Sequence, residues 1–482
     1  MKKIKRLFSV SLIVFVTFLS MSFISCKSTE EKLVTEIHTV EEFFEYANSI
    51  KIKEKSNGKN IVGSLRLMED LDFSGINYEP VELKMAFDGN GHSLNNITIN
   101  EYEEYKKGGV GVFISNHYKK NGCYYEDASY NLAIKNLSIN NLTINFTGKD
   151  TPVGGLMGEY GGRWRECKAN EKVENPIIYN NGRIVQNLTT LENIKINGKI
   201  NAPQAHYVGG MMGKACGSGI VKNCEIDVEI VGGDYVGGLA GTSTIEDVRS
   251  EVEFRNCTNK GNVVGKSYVG GISGLNTKIY DCTNTGNITG GFNVGGIVGY
   301  SKGNIENCLN EGNVIGTSCG QNSYADIGGI VGCDEGDKDG IIIGCINKGS
   351  VSSGYHRVGG IAGYANRGLS NCKNEGNING NECVGGVIGW WTGNGALTKC
   401  ENSGNITATI EAGGIVGGIS ATNTVRLMNC KNMGDITANN RVGGLVGASF
   451  AILDTDYLIT CSNTGILNCD GQKNETYNKL TP

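Results

Sequence analysis

The chain has 482 residues, 39% of them hydrophobic and 19% charged, so it is long enough to bury a large core. It contains 72 glycines but only 5 prolines, without the triplet of collagen, which is typical of a repeat protein with many turns. Acidic residues outnumber basic ones by 49 to 44, and the pI of about 5.7 excludes a basic surface for nucleic acid.

Residues 1–25 are predicted to be a lipoprotein signal peptide. A basic start and a long apolar run end in Phe23-Ile24-Ser25-Cys26. This ending resembles a bacterial lipobox, which implies cleavage before Cys26 and attachment of a lipid to its thiol. Residues 26–33 would then form a linker. An uncleaved membrane anchor is the alternative, because the apolar run is long.

Residues 34–100 are predicted to form an N-terminal cap and the first coils of a solenoid. Thr39 and Glu42 have the spacing of a capping box, which predicts a helix that continues to about Ile50. A terminal unit of this kind is expected, because the first coil of a solenoid otherwise leaves an open edge.

Residues 101–470 contain two repeated signatures, and residues 471–482 are a predicted C-terminal tail. The first signature is the hexad Val-Gly-Gly-apolar-small-Gly, which begins at Val153, Val208, Val236, Val269, Val294, Ile327, Val358, Val384, Ala412 and Val442. The second is Asn-Cys-x-Asn-x-Gly-Asn, whose cysteine recurs at Cys224, Cys257, Cys282, Cys308, Cys345, Cys372, Cys400, Cys430 and Cys461. Sequential copies of about thirty residues indicate a solenoid.

The coils are predicted to be β rather than α. The apolar pieces are short, rich in Val and Ile, and interrupted by Gly and Asn, and none has a helical stripe. We therefore expect an all-β fold, a right-handed parallel β-helix, in which Asn and Gly supply left-handed corners. The paired glycines either hold a tight corner or allow backbones to approach closely, and the pattern alone does not decide between these.

The hexads VGGLAG, VGGIVG and VGGLVG resemble the GLUG motif of a family of bacterial cell-surface proteins. The segments Thr39–Phe44, Leu67–Phe73 and Phe87–His92 are similar to the lead-in common in that family. The resemblance covers roughly residues 34–470. It implies a repetitive, β-helix-like fold and a location at the cell surface.

Three interpretations are open for the single cysteine of each repeat. Metal binding is poorly supported, because there is no CxxC pair and the cysteines have no histidine partners. Disulfides between stacked neighbours are geometrically possible, although nine cysteines cannot all pair. A ladder of small, buried core residues is the third interpretation, and the sequence favours it.

Length variation is concentrated between each hexad and the following cysteine, which predicts one edge of stacked variable loops. Such loops on a rigid scaffold are where binding residues usually lie. Aromatic residues of this edge can stack on sugars or anchor a protein partner. The candidate ligand-binding residues are Trp390, Trp391, Tyr364, Tyr300, Trp164, Tyr160, Tyr124 and Tyr125.

No catalytic, metal or cofactor site is predicted, because there is no HExxH or GxSxG motif and the histidines are isolated. The acidic run beginning at Asp334 lacks the spacing of an EF-hand and is expected to be a solvated turn. We therefore predict a monomeric adhesion or binding module for a glycan or host protein, anchored to the envelope through its N-terminal lipid. A passive envelope scaffold and a β-helix enzyme acting on polysaccharides remain alternatives.

Overall fold

The structure is a computed structural model, and it describes residues 34–469 apart from several internal segments. Those segments are 48–53, 57–58, 62, 84, 102–107, 116, 121–122, 127–132, 161–175, 179–183, 187–189, 216–218, 244–251, 318–323, 337–339, 421–424 and 450–456. Within the described ranges, no helix has the length and apolar character needed to cross a membrane.

The described chain confirms the predicted all-β fold and forms a parallel β-solenoid. Most strands belong to one 43-stranded sheet, and a ten-stranded sheet contains the start of every hexad. Each hexad stacks on the next without slippage, so that Val236 pairs with Val269 and Val269 with Val294. The repeat read from the sequence is therefore one coil of the solenoid.

Each coil contributes a fixed set of short strands, which we describe in the order of the chain. The hexad strands are Val153–Gly154, Val208–Gly209, Asp234–Gly237, Ser267–Gly270, Phe292–Gly295, Tyr324–Gly328, His356–Gly359, Glu382–Gly385, Glu411–Gly413 and Arg441–Gly443. The next strands begin at the fifth residue of each hexad or of its degenerate first copy. They are Phe113–Ser115, Met157–Tyr160, Met212–Ala215, Ala240–Thr242, Ser273–Tyr280, Val298–Glu306, Val331–Asp334, Ala362–Arg367, Ile388–Thr398, Val416–Ile419 and Val446–Ser449.

The remaining strands of the coils lie on either side of the ladder cysteines. Those before the cysteines are Gly219–Lys222, Val252–Arg255, Ile342–Ile343, Leu369–Ser370, Val425–Met428 and Leu458–Ile459. Those after them are Glu225–Val231, Thr258–Asn259, Val263–Val264, Thr283–Asn284, Ile288–Gly290, Leu309–Asn310, Val314–Gly316, Ile346–Asn347, Val351–Ser353, Lys373–Asn374, Ile378–Gly380, Glu401–Asn402, Ile406–Ala408, Lys431–Asn432, Ile436–Ala438, Ser462–Asn463 and Leu467–Cys469.

The N-terminal part contains one helix, Val40–Ala47, and the first coils. The Thr39 hydroxyl accepts a hydrogen bond from the Glu42 N–H at 3.2 Å, as the predicted capping box requires. Phe43 is buried and packs edge-on against Phe73, with ring centroids 5.4 Å apart.

The early strands are Val34–Ile37, Ser64–Leu67, Leu71–Asp72, Val81–Leu83, Ala86–Asp88, Ser93–Asn95, Thr98–Glu101, Ile134–Phe146 and Thr190–Asn201. Three antiparallel hairpins pair Glu54–Ser56 with Lys59–Ile61, His117–Lys120 with Cys123–Glu126, and Pro176–Ile178 with Ile184–Gln186.

A ladder of asparagines runs through the core, two residues after each ladder cysteine from Cys257 onward, and all of them except the last, Asn463, are buried. Its members are Asn259, Asn284, Asn310, Asn347, Asn374, Asn402, Asn432 and Asn463. Each side-chain amide from Asn259 to Asn432 donates twice: Asn374 Nδ2 donates to the Gly376 carbonyl at 2.8 Å and to Asn402 Oδ1 of the next coil at 2.7 Å. These bonds satisfy groups that would be costly to bury unpaired.

The asparagine ladder explains the second glycine of the hexads. A Cβ added at Gly360 would lie 2.3 Å from Asn374 Cγ and from the Gly386 carbonyl oxygen. Gly329 and Gly386 stand in the same relation to Asn347 and Asn402. The glycine therefore allows a close approach across the core, which was one of the two possibilities left open by the sequence.

The ladder cysteines are buried and free, which agrees with the core interpretation. Cys372 Sγ lies 3.4 Å from the Ser370 carbonyl oxygen and 3.8 Å from that of Ile342 in the preceding coil, within reach of weak hydrogen bonds. The residue before each ladder cysteine has positive φ, as at Asn371 (51°) and Asn429 (54°). Asn is among the residues that tolerate this conformation best, so the predicted corners are confirmed.

Replacing Asn374 by Ala is expected to lower the free energy of unfolding by about 2–5 kcal/mol. The change leaves Asn402 Oδ1, the Gly376 carbonyl and one Asn347 N–H without partners in the core. Urea denaturation measures the effect. Asn379→Ala, on an exposed position of the same coil, is the control and should change stability by less than about 0.5 kcal/mol. Equal losses in the two variants would contradict the ladder's importance.

Candidate functional site

Two rows of side chains lie beside each other where the hexad strand turns into the next strand. The corner row consists of the residues that directly precede the hexads. It includes Tyr207, Tyr235, Tyr268, Asn293, Asp326, Arg357, Cys383, Glu411 and Arg441. The outer row is the residue directly after each hexad and includes Tyr300, Cys333, Tyr364 and Trp390, which pair in this order on neighbouring coils. We call the two rows together the corner strip.

The corner row places bulky side chains on backbone positions that disfavour them. Tyr235, Tyr268, Arg357 and Cys383 have φ values of 51°, 54°, 61° and 57°. Side chains other than Gly, Asn and Asp rarely adopt this left-handed conformation, which costs of order 1–3 kcal/mol. The corner before the ladder cysteines uses mostly Asn in the same conformation. The corner row is therefore strained because Tyr, Arg and Cys, rather than Asn, occupy its left-handed positions.

Aromatic rings dominate the N-terminal half of the corner strip. The rings of Tyr235 and Tyr268 stack with centroids 4.6 Å apart and an interplanar angle of 3°, and Tyr207 stacks on Tyr235 at 5.2 Å. The Tyr300 ring lies edge-on to Tyr268 at 5.9 Å, which joins the outer row to the corner row. These rings are half-buried, so their faces contact each other while part of each ring reaches solvent.

Charged groups continue the corner strip towards the C-terminus. The Arg357 guanidinium lies 5.4 Å from the Tyr364 ring centroid and 5.7 Å from that of Trp390, and 3.4 Å from an Asp326 carboxylate oxygen. Burial raises the pKa of Asp326 to about 6, although Arg357 opposes the shift. Cation, carboxylate and aromatic ring thus meet within three coils.

The structure brings three of the predicted ligand-binding residues together. Tyr300, Tyr364 and Trp390 are half-buried members of the outer row and share one register. They lie on strands rather than on the predicted loops, because the strand continues past the hexad. Trp390 covers Gly418 of the next coil, where an added Cβ would lie 2.5 Å from its ring.

Two predicted ligand-binding residues, Trp391 and Tyr160, are instead core residues. Successive side chains of a strand point to opposite faces, so Trp391 points inward where Trp390 points outward. Trp391 is fully buried, and its Nε1–H donates to the Arg367 carbonyl at 3.0 Å. Tyr160 is also fully buried and packs against Gly219. Neither side chain is exposed to a ligand, which corrects the prediction.

The other predicted positions lie in or beside segments that are not described. Trp164 and the lipidation site Cys26 fall outside the described residues. Tyr124 and Tyr125 lie in the strand Cys123–Glu126 of a hairpin, away from the register of the outer row.

The acidic run after the hexad of Ile327 contains a buried ion pair that the sequence did not predict. Arg367 Nε donates to Asp334 Oδ2 at 2.8 Å and Nη2 donates to Oδ1 at 2.6 Å, and both residues are buried. Asp334 was expected in a solvated turn. Its carboxylate is neutralised by the guanidinium instead, which does not fit a calcium ligand.

Sequence reasoning missed the corner row entirely. Its residues are chemically diverse, so no single residue type recurs at this position throughout the repeats. Their backbone conformation is not visible in the sequence. The available signal was position: every one directly precedes a hexad, and Tyr207, Tyr235 and Tyr268 repeat there in three successive coils.

A polar depression of about 300 Å³ is lined by residues that directly precede the hexad strands. Ser353, Asn381 and Thr409 are among the residues that line it. Its hydroxyl and amide groups suit a hydroxylated ligand, and its small volume does not enclose one.

No family model, curated protein or solved structure matches the chain. The resemblance to GLUG-motif proteins therefore remains an expectation, and the corner strip is interpreted from its own geometry.

Replacing Trp391 by Ala is expected to destabilise the protein by about 3–5 kcal/mol, because it leaves a cavity and an unpaired Arg367 carbonyl. Trp390→Ala, one residue earlier, should cost no more than about 1–2 kcal/mol, because its ring is half-buried. Thermal unfolding monitored by circular dichroism compares the two variants. A larger loss for Trp390→Ala would reverse the inward and outward assignment.

Proposed function

We propose that the protein is a binding module that holds a glycan chain along the corner strip. The observation that carries the proposal is the strained corner row, in which Tyr and Arg occupy left-handed positions beside the aromatic outer row. Backbone strain of this kind is concentrated at functional sites in proteins, where the side chain placed there compensates for its cost.

The chemistry of the corner strip supports a sugar as the ligand. Tyrosine and tryptophan offer apolar surface together with a polar group, which matches the apolar faces and hydroxyls of a pyranose. Within each row, the residues of neighbouring coils are about 4.8 Å apart. This distance is close to the length of one sugar residue in an extended chain. In the outer row, Tyr364 and Trp390 lie on successive coils and can therefore contact successive sugars.

The shape of the surface favours a polymer over a small molecule. A small ligand is usually enclosed in a pocket of several hundred Å³. The corner strip is a linear row of neighbouring side chains, and the polar depression near Asn381 adds hydrogen-bonding groups. An extended chain obtains affinity from many such shallow contacts.

A passive scaffold is the second candidate function, and the tyrosine stack favours it. Tyr207, Tyr235 and Tyr268 pack face to face, so their rings stabilise neighbouring coils without any ligand. Tyr300 likewise donates a hydrogen bond to Glu335 at 2.6 Å within the protein. These contacts explain part of the corner strip but leave Trp390 and Tyr364 partly exposed.

The binding proposal is tested with a glycan array followed by calorimetry on the glycans that bind. The double variant Tyr364→Ala/Trp390→Ala is expected to weaken binding about 30-fold, which corresponds to about 2 kcal/mol. The matched control is Tyr280→Ala, which removes a half-buried tyrosine that packs on Arg255 at another face of the coil. This variant should bind as tightly as the parent.

Each other outcome contradicts the glycan proposal in a different way. If the array shows no ligand but a purified surface protein binds the corner strip, the ligand is a protein. If the double variant binds glycans as tightly as the parent, the aromatic residues are packing groups. If the parent binds nothing in either screen, the scaffold is the better description.

We also propose that the protein is anchored to a bacterial cell envelope through a lipid on Cys26, with the corner strip exposed outside the cell. The support is the basic and apolar leader that ends at this cysteine. A lipid anchor leaves the solenoid in the aqueous phase, where a glycan can reach it.

Cys26→Ala is expected to abolish incorporation of a fatty-acid probe in cells and to shift the protein from the membrane fraction. Cys469→Ser, which changes a partly exposed thiol near the C-terminal end, is the control and should be labelled like the parent. Labelling that persists in Cys26→Ala would exclude lipidation at this position.

A further inference from the structure

Three potential metal ligands converge in the C-terminal part of the corner strip. One donor atom from each of Glu382, Cys383 and Glu411 lies within 4.8 Å of the other two. Glu382 and Cys383 are consecutive on one hexad strand, and Glu411 occupies the corner row of the next coil. Stacking of the coils therefore joins residues that are far apart in the sequence.

Glu411 provides a second observation that points to a ligand. Its side chain is fully buried, and Arg441 Nη2 lies 2.7 Å from its Oε2. Among the described residues, neither of its carboxylate oxygens has a hydrogen-bond partner, and Oε1 also lacks an ion-pair contact. A buried carboxylate oxygen is normally hydrogen-bonded, so an oxygen left free beside a thiol and a second carboxylate requires an explanation.

Cys383 differs from the ladder cysteines in its surroundings. It is buried in the left-handed corner row, with two carboxylates beside it. Arg441 contacts the Glu411 carboxylate, and His356 contacts that of Glu382.

We propose that Glu382, Cys383 and Glu411 bind a divalent transition-metal ion, with Zn²⁺ as the best match. The mixed sulfur and oxygen donors suit zinc, whereas calcium and magnesium prefer oxygen alone. Ligand atoms of a tetrahedral zinc site are about 3.3–3.8 Å apart, given its bond lengths. The present donors lie within 4.8 Å of one another, so binding requires them to move closer together.

His356 of the preceding coil supports the cluster from outside. Its Nδ1 lies 2.8 Å from Glu382 Oε2, a contact that orients the carboxylate as second partners of metal ligands commonly do. Glu382 is also partly exposed, with 28% of its side chain accessible, so this ligand is in contact with solvent. The site is independent of the glycan proposal, because it needs no sugar.

The test uses the full chain after reduction and removal of metal by a chelator. Zn²⁺ titration by calorimetry is expected to show one site, and Co²⁺ should give the near-ultraviolet absorption of a cobalt–thiolate bond. Cys383→Ser should abolish this absorption, and both Cys383→Ser and Glu411→Gln should weaken Zn²⁺ binding at least 10-fold. Circular dichroism of the metal-free variants separates loss of the site from loss of the fold.

Matched controls are Cys469→Ser, a thiol elsewhere in the solenoid, and Glu401→Gln, a carboxylate on another face of the coil. Both should bind Zn²⁺ and Co²⁺ like the parent. The proposal is overturned if Co²⁺ gives no thiolate absorption, or if Cys383→Ser retains it. A second variant, Cys383→Ala, serves the same comparison if Cys383→Ser does not fold.

Discussion

The hydrogen bond from one buried asparagine to the asparagine of the next coil is the interaction on which the structure depends. A carboxamide in an apolar core is tolerated only when its donors and acceptor are satisfied. Here one N–H closes the local turn at the Gly of the same coil and the other fixes the next coil. Three features are needed to place this amide. They are the strand register, the left-handed residue before each ladder cysteine and the second glycine of the hexad.

The exact stacking of coils has a direct effect on the surface. Once the core fixes the register, residues at equivalent positions of successive coils are neighbours in space. The outer row and the corner row are consequences of this geometry, and Cys383 and Glu411 meet for the same reason. Single substitutions at equivalent positions of separate repeats can therefore form an extended site on a solenoid, and no new loop is needed.

The repeat architecture was readable from the sequence, but the direction of individual side chains was only partly readable. The hexads and ladder cysteines recur at regular spacing, so the fold and the cysteine core could be predicted. The asparagine after each cysteine was visible in the same signature, yet a polar residue was not expected in the core. Trp390 and Trp391 were treated as one feature, although alternation along a strand separates them. The corner row depended on positive φ values and on contacts across a turn, which no sequence pattern records.

The asparagine ladder also has a direction. Every side-chain amide from Asn259 to Asn432 donates toward the C-terminus, and the chain of bonds begins with Asn259 Oδ1, which has no partner among the described residues. Adding one whole coil within the ladder adds one donor and one acceptor together, and removing a coil removes both, so no new unsatisfied group appears. The length of the solenoid is therefore a variable that duplication or deletion of a repeat can change at little energetic cost. Duplication or deletion of repeats can therefore adjust the length of the solenoid in steps of one coil, about 4.8 Å each.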